Sequence, residues 1–137
     1  MKYVLIAEDD PDVAKLISDE IGDRLYVGTH TVANGALVPD AVAARRPDLL
    51  ILDVTLPGLS GLDVFELVRS DPQWQGVPVL FLTGSPDKAA SVAALGEAGE
   101  RQVMAKPFDC DALVRLADEM LDRSVAASPA YTRTTAA

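Results

Sequence analysis

The sequence predicts an α/β fold of the doubly wound kind, a five-stranded parallel sheet with helices on both faces. Two observations carry this. Short apolar runs of strand length alternate five times with longer segments of helical period, the pattern of successive βαβ units. The runs are also nearly continuous in apolar residues, as in LLIL (49–52) and VLFL (79–82), which suits strands covered on both faces.

The elements follow in order. YVLIA (3–7) is the first strand, and Asp10-Pro11 opens a helix as N-cap and first-turn proline. Val13, Leu16, Ile17 and Ile21 give that helix one apolar face. Leu25 to Val32 reads as a weaker second strand, and Asn34-Gly35 as a turn. A short helix is expected from about Val38 to Arg45, with Pro39 tolerable only near its start. Leu49 to Asp53 is the third strand, after which Pro57-Gly58 breaks the chain. Leu62, Phe65 and Val68 mark the next helix, stopped by Asp71-Pro72. Val77 to Thr83 is the fourth strand and Ser85-Pro86 the next helix cap. The helix that follows, about 87–98, is rich in Ala, with Val92 and Leu95 as its larger apolar residues. Few large side chains anchor it, which makes it the element most free to shift. Gln102 to Ala105 is a short fifth strand. The last helix starts at Asp109 and carries Leu113, Leu116, Ala117, Met120 and Leu121 on one face. Residues 1–123 therefore read as one domain, and 124–137 as a flexible tail or the start of a linker.

The chain has 137 residues and a formal net charge of −9, with its twelve Lys and Arg scattered. That balance works against direct nucleic-acid binding and against an anionic membrane surface. The single Cys110 cannot form an internal disulfide, and no apolar run has the length of a signal segment or a membrane span. A cytoplasmic protein is expected. His30, Trp74 and Cys110 read as a surface histidine, a loop residue packed on a helix end, and an unactivated thiol.

In doubly wound sheets, ligands bind beyond the carboxyl ends of the strands, so those ends are where chemistry is sought. The first strand ends in Glu8-Asp9-Asp10, the third in Asp53, the fourth in Thr83-Gly84 and the fifth in Lys106-Pro107. In a flavodoxin-like strand order these ends share one edge. Three clustered carboxylates repel, so they hold a proton or attract a hard divalent cation. Oxygen donors without His or Cys favour Mg²⁺. With its charge offset, Asp53 is a plausible nucleophile toward a phosphoryl group, while Thr83 and Lys106 can bind phosphoryl oxygens. Taken singly, each residue has an ordinary reading. The acids suit a helix N-terminus, Asp53 a strand-end hydrogen-bond acceptor, Thr83 a local hydrogen-bonder and Lys106 the surface. Their coincidence at four strand ends favours the site.

VLIAEDDPDV, LLILDVTLPGLSG, VLFLTG and MAKPF occur in this order, with Thr83 30 residues after Asp53 and Lys106 23 residues after Thr83. Over roughly residues 2–122 the chain resembles the receiver domain of two-component response regulators. The resemblance implies that Asp53 is the phosphoacceptor of a histidine kinase or phosphorelay. It implies that Glu8, Asp9 and Asp53, with the backbone carbonyl of Thr55, hold Mg²⁺, and that Thr83 and Lys106 sense the phosphoryl group. Asp10 then falls to the helix cap. It further implies signalling through protein contacts by a monomer or weak dimer. Such a domain assists its own phosphorylation and dephosphorylation without being an enzyme in the usual sense. Two positions depart from the pattern. Val103 stands where receivers carry an aromatic switch residue, and Gly84 where Ala is commoner. Both, with Phe81-Leu82-Thr83-Gly84, are similar to the FAT GUY receivers, though Ser85-Pro86 fits that subset less well.

Three other readings compete with this one. The chain could be the receiver of a larger regulator or hybrid kinase. A flavodoxin-like electron carrier would need a hydroxyl- and Gly-rich phosphate loop where Glu8-Asp9-Asp10-Pro11 stands. A haloacid-dehalogenase-like phosphatase wants a second Asp where Thr55 stands.

Overall fold

The computed structural model of the chain describes residues 1–94 and 101–126, with 123–126 described by their backbone alone. Five strands, β1 (Tyr3–Ala7), β2 (Gly28–Val32), β3 (Leu49–Asp53), β4 (Val79–Thr83) and β5 (Arg101–Ala105), form one sheet in the order β2-β1-β3-β4-β5. All four pairings are parallel. The helices are α1 (Pro11–Leu25), α2 (Val38–Ala44), α3 (Gly61–Ser70), α4 (Pro86–Ala93) and α5 (Cys110–Ala126). This is the expected doubly wound, flavodoxin-like α/β fold.

The continuous apolar strands serve two cores, because successive side chains point to opposite faces. Leu5, Leu50, Leu52, Val79 and Phe81 pack with residues of α2, α3 and α4 on one face. Val4, Ile6, Ile51, Leu80 and Leu82 pack with α1 and α5 on the other. β1, β3 and β4 are buried along their whole lengths, as a sheet covered on both faces requires. Phe65 and Phe81 meet with ring centroids 5.3 Å apart, fastening α3 to the sheet. Trp74 packs at the margin of this core, His30 is exposed and Cys110 is an unpaired, half-buried thiol.

Most expected boundaries hold to within a residue or two, and the differences have local causes. α1 runs through Leu25 and stops at Tyr26, whose left-handed φ of 55° ends the helix, so β2 begins at Gly28 rather than Leu25. The apolar face of α1 centres on Ala14, Ile17 and Ile21, which leaves Leu16 exposed. A 3-10 turn, Gly35–Leu37, precedes α2 and is capped by the Asn34 side chain. β4 begins at Val79; Pro78, which lacks an N–H, contributes its carbonyl to Leu50 N–H at 3.0 Å. α5 continues past Arg123 through Ala126, since no helix breaker intervenes before Pro129 in the sequence. The rest of the expected tail, and positions 95–98 of the expected fourth helix with Leu95, lie outside the described residues.

Candidate functional site

The register sets the carboxyl ends of β1, β3 and β4 level. Ala7 pairs with Leu52, Asp53 with Leu82 and Thr83 with Ala105, so Glu8 and Lys106 each follow one step beyond a paired residue. The hydrogen-bond ladder continues past the strands. Glu8 N–H donates to Val32 O at 3.0 Å, Val54 N–H to Leu82 O at 2.9 Å and Lys106 N–H to Thr83 O at 2.8 Å. These bonds hold the chain rigidly where the polar side chains branch off.

The sequence-predicted residues converge. Glu8, Asp53 and Thr83 are the buried polar residues of the described chain, at 2%, 6% and 2% exposure. The Lys106 ammonium donates to both buried carboxylates, to Glu8 Oε1 and to Asp53 Oδ2, the second at 2.9 Å. The other Asp53 oxygen, Oδ1, accepts from Thr55 N–H at 2.9 Å. Ligand oxygens of Glu8, Asp9 and Asp53 lie within 4.8 Å of one another, with Asp9 exposed at the rim. Asp10 sits outside this group. Its side chain accepts from Asp12 N–H at 2.9 Å and Val13 N–H at 3.4 Å, which is the cap role expected of it.

The electrostatics follow from burial. Desolvation pushes the Glu8 carboxyl up to about 7; Lys106 pulls it down, while Asp53 and Asp9 raise it again. Burial lowers the Lys106 ammonium, but its hydrogen bonds to Glu8 and Asp53 outweigh that and hold it above the usual lysine value. The carboxylates thus concentrate negative charge around the Lys106 ammonium, the setting in which a divalent cation or an electrophilic phosphoryl group is favoured.

Two participants, Lys88 and Gly61, were not legible in the sequence, and a third, Ser85, was legible only as a cap and not by its bond to Thr83. Ser85 caps α4, its Oγ accepting from Lys88 N–H at 3.4 Å, and its own N–H donates to Thr83 Oγ1 at 3.1 Å. Lys88, in the first turn of α4, donates from Nζ to Thr55 Oγ1. Gly61 starts α3 against the backbone of the site; a Cβ there would lie 2.5 Å from Asp53 O and 2.8 Å from Val54 Cα. Ser-Pro marked the cap, but nothing in the sequence said that Lys88 would fold back on the loop after Asp53. Val103 is 37% exposed on β5, and a Cβ added at Gly84 would meet nothing within 4 Å.

The donor set fits the expected cation. Mg²⁺ prefers hard oxygen ligands, and two buried carboxylates with one exposed carboxylate provide them without nitrogen or sulfur.

Comparison with known proteins agrees with this geometry. The family model for the response regulator receiver domain matches residues 4–118. The DNA-binding response regulator MtrA of Mycolicibacterium smegmatis is 34% identical over 111 residues, 81% of this chain and 46% of that protein. The nitrogen assimilation regulatory protein NtrX of Azorhizobium caulinodans is 35% identical over 123 residues, 87% of this chain and 26% of that one. The chain thus spans less than half the length of these curated relatives. Among solved structures, chemotaxis response regulator CheY4 of Vibrio cholerae matches with a TM-score of 0.76 at 27% identity, covering 88% of this chain and 98% of that chain. The BeF3-activated N-terminal receiver domain of RstA from Klebsiella pneumoniae gives 0.75 at 26%, with the same coverage.

Proposed function

The chain belongs to the response regulator receiver domain family, and from that membership we propose that Asp53 accepts a phosphoryl group from a phosphohistidine donor. The observation that carries this is the placement of Asp53. Its carboxylate is buried at the end of β3, with one oxygen fixed by Thr55 N–H and the other by Lys106. A nucleophile held at both ends of its carboxylate needs little reorganisation to meet an in-line phosphorus.

In this reading an Asp53 oxygen forms the new P–O bond as the donor P–N bond breaks. The electron pair stays on the imidazole nitrogen. Lys106 is placed to follow the charge onto a phosphoryl oxygen, and the Thr83 hydroxyl, buried beside it, supplies a second donor. Glu8, Asp9, Asp53 and the Thr55 carbonyl would hold Mg²⁺, whose charge would offset that of the phosphoryl oxygens. The donor is a histidine kinase or a phosphotransfer protein, and output is a changed surface read by a further protein. DNA-binding is a property stated for MtrA; the −9 charge of this chain argues against direct nucleic-acid contact. Among the described residues, no helix is long and apolar enough to cross a membrane.

The test is phosphorylation by acetyl phosphate with Mg²⁺, followed by intact mass. The wild-type chain should gain one phosphoryl group and Asp53→Asn none. A full mass gain in Asp53→Asn would assign the chemistry elsewhere.

A further inference from the structure

Two ammonium groups reach the site among the described residues, and they are differently engaged. Lys106 is held between two buried carboxylates. Lys88, half-buried in the first turn of α4, contacts a neutral partner, the Thr55 hydroxyl. An ammonium bonded to a hydroxyl beside a carboxylate cluster has more to gain from an anion than Lys106 does, because charge-assisted hydrogen bonds are the stronger kind.

The bonds around Lys88 close a circuit. Asp53 Oδ1 accepts from Thr55 N–H, and Thr55 Oγ1 accepts from Lys88 Nζ. Lys88 N–H donates to Ser85 Oγ, and Ser85 N–H donates to Thr83 Oγ1. Thr83 O accepts from Lys106 N–H, and Lys106 Nζ returns to Asp53 Oδ2 at 2.9 Å. Every member between Thr83 and Asp53 on the α4 side is joined by at least one side-chain atom. Apolar anchoring of this helix is slight, for Val92 is its one buried residue.

We propose that Lys88 is the positioning residue that couples Asp53 to α4: on phosphorylation its ammonium leaves the Thr55 hydroxyl for a phosphoryl oxygen and draws the first turn of α4 with it. This rests on the reading of Asp53 as phosphoacceptor. The new anion lies on the carboxylate whose Oδ1 accepts from Thr55 N–H, and the hydroxyl of that same residue holds the ammonium, so the ammonium has a short path to it. Gly84 is exposed, and a Cβ added there would meet nothing within 4 Å, so the connection between β4 and α4 is free to follow.

The test uses beryllofluoride with Mg²⁺ as the phosphoryl mimic and amide NMR on the whole chain. Amides of Val54 and Thr55 report occupancy of Asp53; amides of Ala89 to Ala93 report the response of α4. In the wild type both sets should shift. At saturating occupancy, Lys88→Gln should lose the α4 shifts while the Val54 and Thr55 shifts remain, and Lys88→Arg should restore them. A structural role in capping would disturb α4 equally with and without the mimic, whereas the proposed role changes only the response. Full α4 shifts in saturated Lys88→Gln would overturn the proposal, as would their loss in Lys88→Arg. Acetyl phosphate labelling of the wild type separates the two readings. No mass gain there would overturn the phosphoacceptor reading itself, and this inference with it.

Discussion

Gly61→Ala should damage the site through the backbone rather than through any functional side chain. The added Cβ would stand 2.5 Å from Asp53 O and 2.8 Å from Val54 Cα. Ordinary non-bonded contacts are wider, so the two segments must part by about 1 Å. Neither obstacle is a flexible side-chain end, so the movement falls on α3 or on the backbone that carries Asp53 and Thr55. Overpacking of this kind costs about 1–3 kcal/mol, and the better helix propensity of Ala recovers only part of it. A net loss of about 1–2 kcal/mol should lower the melting temperature by roughly 4–8 °C in a domain of this size. Because a 1 Å misplacement can cost about a hundredfold in rate, acetyl phosphate labelling should slow by roughly ten- to a hundredfold. Gly84→Ala is the matched control. Nothing lies within 4 Å of its added methyl and its φ is not positive, so stability should hold or rise by about 0.4–1 kcal/mol. Thermal melts and labelling rates of both variants decide the matter. A Gly61→Ala protein that melts and labels like the wild type would refute the reasoning.

Lys106→Gln leaves Glu8 and Asp53 without their shared ammonium and should cost about 2–3 kcal/mol at pH 8 by urea titration. The loss should shrink at pH 5, where Glu8 carries a proton; equal losses at both pH values would contradict the assigned pairing. Glu8 itself makes stability pH-dependent. Its folded-state carboxyl is raised from 4.5 to about 7, so its contribution is complete below 4.5 and is lost as pH rises through 7. Wild type should therefore lose stability relative to Glu8→Gln over that window, and a constant difference would show that Glu8 does not titrate there. Tyr26, 84% exposed at a φ of 55°, gives up little packing when replaced, so Tyr26→Gly should stabilise the chain by about 0.5–1 kcal/mol in the same titration.

The parts of this molecule legible in the sequence are those that depend on local pattern. Continuous apolar runs located the buried strands, and Asp10-Pro11 and Ser85-Pro86 located two helix starts that the structure places at Pro11 and Pro86. The convergence of the candidate residues was legible because a parallel sheet sends every strand end to one edge, so that order along the chain became proximity in space. Leu16 falls outside the buried face because periodicity alone does not say where the centre of that face lies, and here Ala14 takes the inward position. The close approach of Gly61 and the fold-back of Lys88 depend on how two loops meet, which neither periodicity nor spacing encodes. The left-handed Tyr26 breaks the usual preference for Gly, so no residue type announced it.

The two halves of the site are built differently, and this divides the work between them. Glu8, Asp53 and Lys106 branch from backbone tied to neighbouring strands by bonds of 2.8–3.0 Å that prolong the sheet ladder. Their positions can change only if the sheet edge changes, which suits groups that must already be placed when phosphate arrives. Thr55, Ser85 and Lys88 are joined to the site by bonds that each involve a side chain, on loops and on a helix with one buried residue. Such bonds can exchange partners without disturbing either core. Substitutions in the first half should therefore appear as lost stability or lost phosphate acceptance. Those in the second should appear as a phosphorylated protein whose α4 fails to respond, and it is that separation, rather than any single loss, that distinguishes a switch from a binding site.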